Sequence, residues 1–359
     1  MLQFSKYQGL GNDFLIVDQR QAAPQTQGKP GSFGSLDGEQ ARHLCDRRFG
    51  VGADGLILAL PPAADGEVRM RIFNADGSEP EMCGNGIRCL ARFLADRDGD
   101  RPGRTWRIET LAGLMVPELL PDGCVRVDMG PPFLEPDAVP TTLPIGSHGL
   151  PEGVLELLGQ SVPVAAAGMG NPHVIVPVED VTTVPLEDLG PALEVHPAFP
   201  ARTNVHVVQR LADDHLVMRV WERGAGPTLA CGTGACATLV AFHRLGLSGR
   251  QARLDLPGGS LQIHWDEATG HVFMAGPAEA VFDGVLREGD PSPEVKAIDC
   301  ATACVDGCIS PDDCPSAAAR ARVDALLEDR SLDELVAIAT GSLEARTRSR
   351  LERDAGGLG

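Results

Sequence analysis

The stretch EMCGNGIRC, Glu81–Cys89, sets a cysteine directly before Gly-Asn-Gly at the point where a helical pattern begins. Apolar positions Ile87, Leu90, Ala91 and Leu94 continue with helical spacing through CGNGIRCLARFLADRDG, as the buried face of a helix requires. The same design returns at Cys231, where CGTGACATLVAFHRLG is again Cys-Gly-x-Gly followed by a helical pattern. Strand-like runs come first in both places, VRMRIFNADGS before Cys83 and HLVMRVWERG before Cys231. Two strand-rich segments that each deliver a cysteine at a helix start read as two duplicated α/β lobes.

Outward from these two points the pattern stays mixed. QFSKYQGLGNDFLIVD reads as strand, Gly-rich loop and strand, residues 28–34 as a Gly/Pro/Ser loop, and SLDGEQARHLCDRRF as a helix with Ser35 or Asp37 near its N-cap. LILAL, TWRIETLAGLMVPEL and CVRVDMG are strand-like, as are the paired runs of VAAAGMGNPHVIVPV, then TNVHVVQR, ARLDLPGGSLQIHWD and HVFMAGPAEAVFDGVL. GVGADG, Gly50–Gly55, matches G-x-G-x-x-G. A dinucleotide fingerprint needs a strand before it and a helix after it; here the order is reversed, so a tight helix-to-strand connection is expected.

Composition narrows the partners. With 31 Lys and Arg against 50 Asp and Glu, the net charge is −19. That argues against nucleic acid, whose binding rests on neutralising phosphates, and against an anionic membrane surface. The beginning, MLQFSKYQGLGNDFLIVD, shows no basic region followed by an apolar run, and no stretch of about 18 apolar residues occurs. The expected compartment is the cytoplasm, where ten cysteines ask for a metal or catalytic explanation before a disulfide one.

For Cys83 and Cys231 three roles compete: metal ligand, half of a disulfide, or reactive thiol. Cys83 and Cys89, and Cys231 and Cys236, are spaced so that each pair points to different helix faces, unlike the close pairs of structural zinc sites. A helix start offers unpartnered N–H groups and partial positive charge, which suit a carboxylate and a thiolate alike. Two such starts facing each other would hold one carboxylate with a sulfur on each side. That fits removal of a proton from one face of a carbon and its return to the other, as in racemisation or epimerisation. Two structural cysteines that happen to open helices remain the other reading of the residues alone.

The motifs GLGNDF (9–14), FNADGSEPEMCGNGIRC (73–89), GMGNPH (168–173), FPARTNV (199–205) and WERGAGPTLACGTGACA (221–237) occur in this order. As a set, covering the chain to about Leu286, they resemble the diaminopimelate epimerases, which work without pyridoxal phosphate. Proline racemase-like relatives share the second cysteine motif but carry His after the first Cys-Gly, and the phenazine-pathway isomerases lack the cysteine pair. The resemblance implies an α/β (α+β) fold of two pseudo-symmetric lobes, each a mixed β-sheet wrapped around a central helix; the short helical C-terminal appendage lies outside it and is read from the residues alone. The lobes would be 1–130, completed by 277–287, and 131–276, with 288–359 appended.

It also implies conversion of LL-diaminopimelate to the meso form for lysine and peptidoglycan synthesis, with no cofactor for catalysis. Cys83 and Cys231 would exchange the proton, with Glu222 and His173 near the reacting centre. Gly84, Asn85, Gly232 and Thr233 would hold the reacting carboxylate, and Glu222 the α-ammonium. Arg223 would face the distal carboxylate, as its fork suits, and Asn12, Asn74, Asn171 and Asn204 would read the far end of the substrate. A homodimer is expected, with Phe282 at its interface where some relatives carry Tyr. At Gly55 some relatives place a polar, substrate-facing side chain that this chain lacks.

Beyond Leu286 the texture changes. REGDPSPEV is linker-like, and after it Cys300, Cys304, Cys308 and Cys314 stand as C-x3-C-x3-C-x5-C before Ala-, Leu- and Arg-rich helical segments. Four thiolates can bind zinc or an iron–sulfur cluster, so a structural metal is expected there, with disulfides or reduced packing cysteines as the alternative. Two other functions stay open: a related racemase for another amino acid, and a non-catalytic binding or redox-sensing protein working through the appendage.

Overall fold

The computed structural model describes residues 1–21 and 36–286. The loop at 28–34, the Ser35 cap, the appendage at 288–359 and its four cysteines Cys300, Cys304, Cys308 and Cys314 lie outside the described residues.

The first half of the chain runs β1 (Leu2–Gly9), β2 (Asn12–Asp18), α1 (Gly38–Cys45), β3 (Gly55–Leu60), β4 (Val68–Asn74), α2 (Gly84–Asp98), β5 (Ile108–Thr110), β6 (Gly113–Met115), β7 (Glu118–Leu119) and β8 (Val125–Asp128). The second runs β9 (Glu152–Leu157), β10 (Gln160–Gly168), β11 (Pro172–Val178), α3 (Leu186–Glu194), β12 (Asn204–Ala212), β13 (His215–Glu222), β14 (Gly226–Thr228), α4 (Gly232–Arg244), β15 (Gln251–Leu256), β16 (Gly259–Trp265), β17 (Val272–Gly276) and β18 (Glu279–Leu286). A seven-stranded sheet has the order β18-β1-β2-β3-β4-β5-β6. An eleven-stranded sheet has the order β7-β8-β17-β16-β15-β13-β12-β11-β10-β9, with β14 on β13. Both are mixed: β2–β3 and β4–β5 are parallel in the first, β11–β12 and β13–β15 in the second.

Each sheet encloses one helix. On α2, Ile87, Cys89, Leu90, Ala91, Phe93 and Leu94 are all buried, while Asp96, Arg97 and Asp98 at its end are exposed, so most of the helix lies inside a core and its last turn meets water. The buried residues pack with Tyr7, Phe14, Ile16, Ile57, Val68, Met70 and Ile72. Helix α4 is buried likewise through Ala235, Cys236, Ala237, Leu239, Val240, Ala241 and Phe242, against Ile175, Met218, Val220, Leu254 and Ile263. Gly99 ends α2 at φ 72°, the left-handed cap that glycine adopts without strain.

Two strands tie the halves together. β18 returns to the first sheet, pairing from Leu2↔Leu286 to Gln8↔Glu279. β8 is laddered to β17 of the second sheet, yet its Val125 and Val127 are buried in the core around α2.

Local outcomes follow the same physics. Asp37 caps α1, accepting from the Glu39 and Gln40 N–H groups while Gln40 closes a capping box. The helix is shorter than SLDGEQARHLCDRRF suggests, because Asp46 turns extended and its carboxylate takes the N–H groups of Arg48 and Phe49. TWRIETLAGLMVPEL forms three short strands rather than one run. Helix α3 has no counterpart in the sequence reading: Gly190 and Pro191 lie inside it. Gly190 is required there, since a Cβ would sit 2.5 Å from the Trp221 ring.

Candidate active site

Cys83 and Cys231 are the N-cap residues of the two central helices, in nearly identical extended conformations, φ −138° and ψ 117° against φ −136° and ψ 105°. Cysteine is not among the usual N-caps. The Cys83 sulfur nonetheless does a cap's work, accepting the Gly86 N–H at 3.4 Å. The Cys231 sulfur lies 3.6 Å from the Thr233 hydroxyl. Both thiols are free.

The two helix starts face one another. Cβ positions built on Gly84 and Gly232 fall 3.0 Å from Cε and 2.9 Å from Sδ of the same side chain, Met274 of β17, and that on Gly232 is 3.9 Å from Asn85 Oδ1. Met274 therefore floors both first turns, and a side chain at either glycine would collide with it. Gly84, Asn85, Gly232 and Thr233 are thus brought to one place, with the free N–H groups of two helices.

Glu222 lies at the end of β13, where its carboxylate accepts the Thr228 hydroxyl at 2.6 Å. It acts on both sulfurs. Burial pushes its own carboxyl upward. Burial also pushes both thiols up, and the Glu222 carboxylate adds to this at each. At Cys83 burial is opposed by the Gly86 and Asn85 N–H groups and by Arg88. At Cys231 burial is opposed by the Thr233 hydroxyl and the Gly234 N–H group. Helix α3 has a part in this placement: Glu194 at its end accepts Trp221 Nε1–H at 2.7 Å and Gly224 N–H at 2.9 Å, clamping the chain on both sides of Glu222 and Arg223.

His173 is fully buried on β11. Its Nε2 is 2.8 Å from Asn171 Oδ1, and its Nδ1 is 2.8 Å from His206 Nε2. With the Asn171 oxygen as acceptor, His173 carries its proton on Nε2, and His206 donates from Nε2 to the bare Nδ1 of His173. His206 Nδ1 is left buried without a partner. Burial drives His173 well below the usual histidine range and His206 down to about 3, so both rings are neutral. His173, His206 and Cys231 offer ligand-type atoms within 4.8 Å of one another, with a hydrogen bond already joining the two rings.

The remaining expected residues divide. Asn85 Nδ2 donates to Asn12 Oδ1 at 3.3 Å, and Asn12 Nδ2 to Asp54 at 2.8 Å, so these two are coupled at the mouth of α2. Asn74 is exposed and donates to Ser78 Oγ within its own turn. Asn204 is buried, with Nδ2 on the Pro172 carbonyl and Oδ1 accepting the Arg223 N–H, which makes it a brace for that loop. Arg223 is exposed and donates to the Ala201 carbonyl. Gly55 has a cause of its own: a Cβ there would be 2.7 Å from the Phe73 carbonyl oxygen and 3.1 Å from the Phe14 ring. Phe282 lies away from this centre on β18, 46% exposed and edge-on to Phe4.

Sequence reasoning missed Met274, His206 and Arg88. His206 left one trace: a Cβ on Gly234 would be 2.2 Å from its ring, so the second glycine of CGTG makes room for it.

The sequence profile that describes the diaminopimelate epimerases matches residues 4–134 and 165–281. A diaminopimelate epimerase of Prochlorococcus marinus is 61% identical over 286 residues, 80% of this chain and 93% of that one. One of Synechococcus elongatus is 56% identical over 286 residues, 80% of this chain and 98% of that one. Among solved structures, a Bacillus anthracis phenazine biosynthesis protein of the PhzF family superposes with a TM-score of 0.56 at 16% identity, covering 80% of this chain and 99% of that one. A probable proline racemase of Agrobacterium radiobacter gives 0.55 at 17% identity, covering 81% and 95%. The structural likenesses establish the mixed, two-sheet fold, whereas the family profile takes in both cysteine motifs. On that agreement the chain belongs to the diaminopimelate epimerase family.

Proposed function

We infer that the protein, an isomerase by family, interconverts LL- and meso-diaminopimelate by two-base proton transfer, supplying lysine and peptidoglycan precursors. The observation that carries this is the pair of N-cap thiols on two facing helix starts with the Glu222 carboxylate acting on both.

Substrate would enter with its α-carboxylate on the N–H groups of Gly84, Asn85, Gly232 and Thr233 and its α-ammonium against Glu222. Neutralising Glu222 removes the charge that disfavours ionisation next to it. One sulfur, as thiolate, takes the α-proton; the carbanion is held through its carboxylate by two helix N-termini; the other sulfur, as thiol, gives its proton to the opposite face. The thiolate and thiol have then exchanged places, and the reverse reaction starts from the other sulfur. The neutral His173, oriented by Asn171 and His206, lines the centre without adding charge. Asn12, Asn74, Asn171, Asn204 and Arg223 would read the distal amino-acid end, Arg223 facing its carboxylate. No cofactor takes part in this chemistry.

The lobes would be 1–130 with 277–287, and 131–276. A homodimer would form through β18, an edge strand that exposes Val281, Phe282 and Val285, as an unprotected apolar edge invites. Phe282→Asp should then give a monomer in sedimentation. Among the described residues no helix is long and apolar enough to cross a membrane, and the cytoplasm is the proposed compartment. Cys300, Cys304, Cys308 and Cys314 are proposed to hold a structural metal; metal analysis of reduced protein without zinc or iron would remove that part.

The test of substrate is direct. LL-diaminopimelate incubated with reduced protein should yield the meso isomer by chiral chromatography, while lysine and proline stay unchanged. Racemisation of either of these without turnover of diaminopimelate would overturn the assignment.

A further inference from the structure

Arg88, the one charged residue of the CGNGIRC stretch, is 0% exposed on α2. Its Nη2 donates to Asn85 Oδ1 at 2.8 Å, its Nη1 to the Gly84 carbonyl at 3.1 Å and to Met274 Sδ at 3.6 Å, and its Nε to the Pro277 carbonyl at 3.4 Å. Every acceptor is neutral, and no carboxylate among the described residues lies within salt-bridge distance. Space is kept for the guanidinium by Gly9 and Gly276, whose Cβ positions would be 3.2 Å from Nη2 and 3.4 Å from Nε.

A guanidinium stays protonated in a protein, and a buried charge without a counter-charge is costly. Apolar residues of similar volume would fill such a place more cheaply, so the charge asks for a reason. It is found in the residues that Arg88 holds: Gly84 and Asn85 carry the first N–H groups of α2, and Met274 floors both helix starts. The proposed reaction brings two negative charges there, a carboxylate and a thiolate.

We propose that Arg88 is the buried counter-charge of this anion site, a positioning residue that braces Asn85 and Met274 while its fixed positive charge favours the thiolate at Cys83 and the substrate carboxylate beside it. Charged and titratable groups facing the Cys83–Arg88 pair are Cys89 on α2, Cys236 on α4, Cys124 ahead of β8 and Glu222 from β13. Of these only Glu222 bears a charge near neutrality, and it is negative, so Arg88 is the one charged group that favours ionisation there, beside the Gly86 and Asn85 N–H groups. Cys231 has Glu222 as its charged neighbour instead. This inference rests on the two-thiol reading of the site.

The experiment is iodoacetamide alkylation of full-length reduced protein across pH, read separately for Cys83 and Cys231 by peptide mass spectrometry, without substrate. In Arg88→Met the Cys83 curve should move up by about one pH unit or more, the size of an adjacent opposite charge, with the Cys231 curve moving less. Arg88→Lys should restore most of the shift, and Arg88→Gln, which keeps donors but not charge, should behave like Met. Should Arg88→Met fail to fold, the Lys and Gln pair decides alone. Coincident Cys83 curves in wild type and any folded neutral variant would overturn the proposal, as would Gln matching wild type while Lys does not. Because no substrate is present, a failure of the diaminopimelate assignment would leave this readout standing.

Discussion

Alanine at position 234 would put a methyl group where the His206 ring already lies. The Cβ position is 2.2 Å from Cε1, 2.5 Å from Nε2 and 3.0 Å from Nδ1. The ring is fully buried and bonded to His173 at 2.8 Å, so it cannot retreat without breaking that bond. Overpacking of this kind costs about 1–3 kcal/mol. Against it, alanine gains at most about 1 kcal/mol over glycine within a helix, and Gly234 is the third residue of α4. The net expectation is a loss of about 1–2 kcal/mol. Each kcal/mol lowers Tm by about 2–4 °C in a domain of this size. With His206→Ala in the background the methyl enters free space, only the helix term remains, and Gly234→Ala becomes neutral or mildly stabilising. The coupling in the double-mutant cycle is therefore about 1–3 kcal/mol. Thermal and urea unfolding of the four proteins measures it. An equal loss from Gly234→Ala in both backgrounds would refute the view that this glycine exists to admit His206.

Glu222→Gln should leave the fold intact, lower the pH at which Cys231 is alkylated, because a neighbouring negative charge is gone, and reduce turnover by about two orders of magnitude or more, as loss of a charged group at a reacting centre does. Stability should fall as pH drops below 6.5, since His206 is held down to about 3 by burial: between those values the unfolded chain binds the extra proton, so stability rises with pH. His206→Gln should flatten that part of the curve, read as urea midpoints from pH 7 to 4. Asp37→Ala removes the cap of α1 and should cost about 1 kcal/mol, with turnover unchanged because α1 carries no residue of the site.

The readable part of this protein was the part written locally. A cysteine followed by glycine at the head of an apolar, 3.6-periodic run gave the starts of α2 and α4, and strand patterns around them gave the two-sheet architecture. What escaped was decided by tertiary contacts. Helix α3 was hidden by Gly190 and Pro191, and only the Trp221 ring above Gly190 explains the glycine. Arg88 reads as a polar face of a helix until both lobes are seen to enclose it. His206 sits in an alternating strand with nothing to set it apart, because its partners, His173 and Gly234, come from β11 and α4. Asn74 and Asn204 look alike in sequence, yet one closes an exposed turn and the other braces a buried loop. The shared role of β8, laddered to one sheet and packed in the other core, has no signature in its four residues.

The central claim is that two thiols, one on each face of the α-carbon, move the proton, and a solvent-isotope experiment tests it most directly. LL-diaminopimelate is turned over in heavy water for less than one equilibration, and deuterium at the α-carbon is read separately in product and recovered substrate, with Cys83→Ala and Cys231→Ala alongside. Two bases predict deuterium in the meso product from the first turnovers, recovered substrate that still carries protium, and no product from either variant. Meso product that keeps the original proton, or a variant that still epimerises at the wild-type rate, would contradict it.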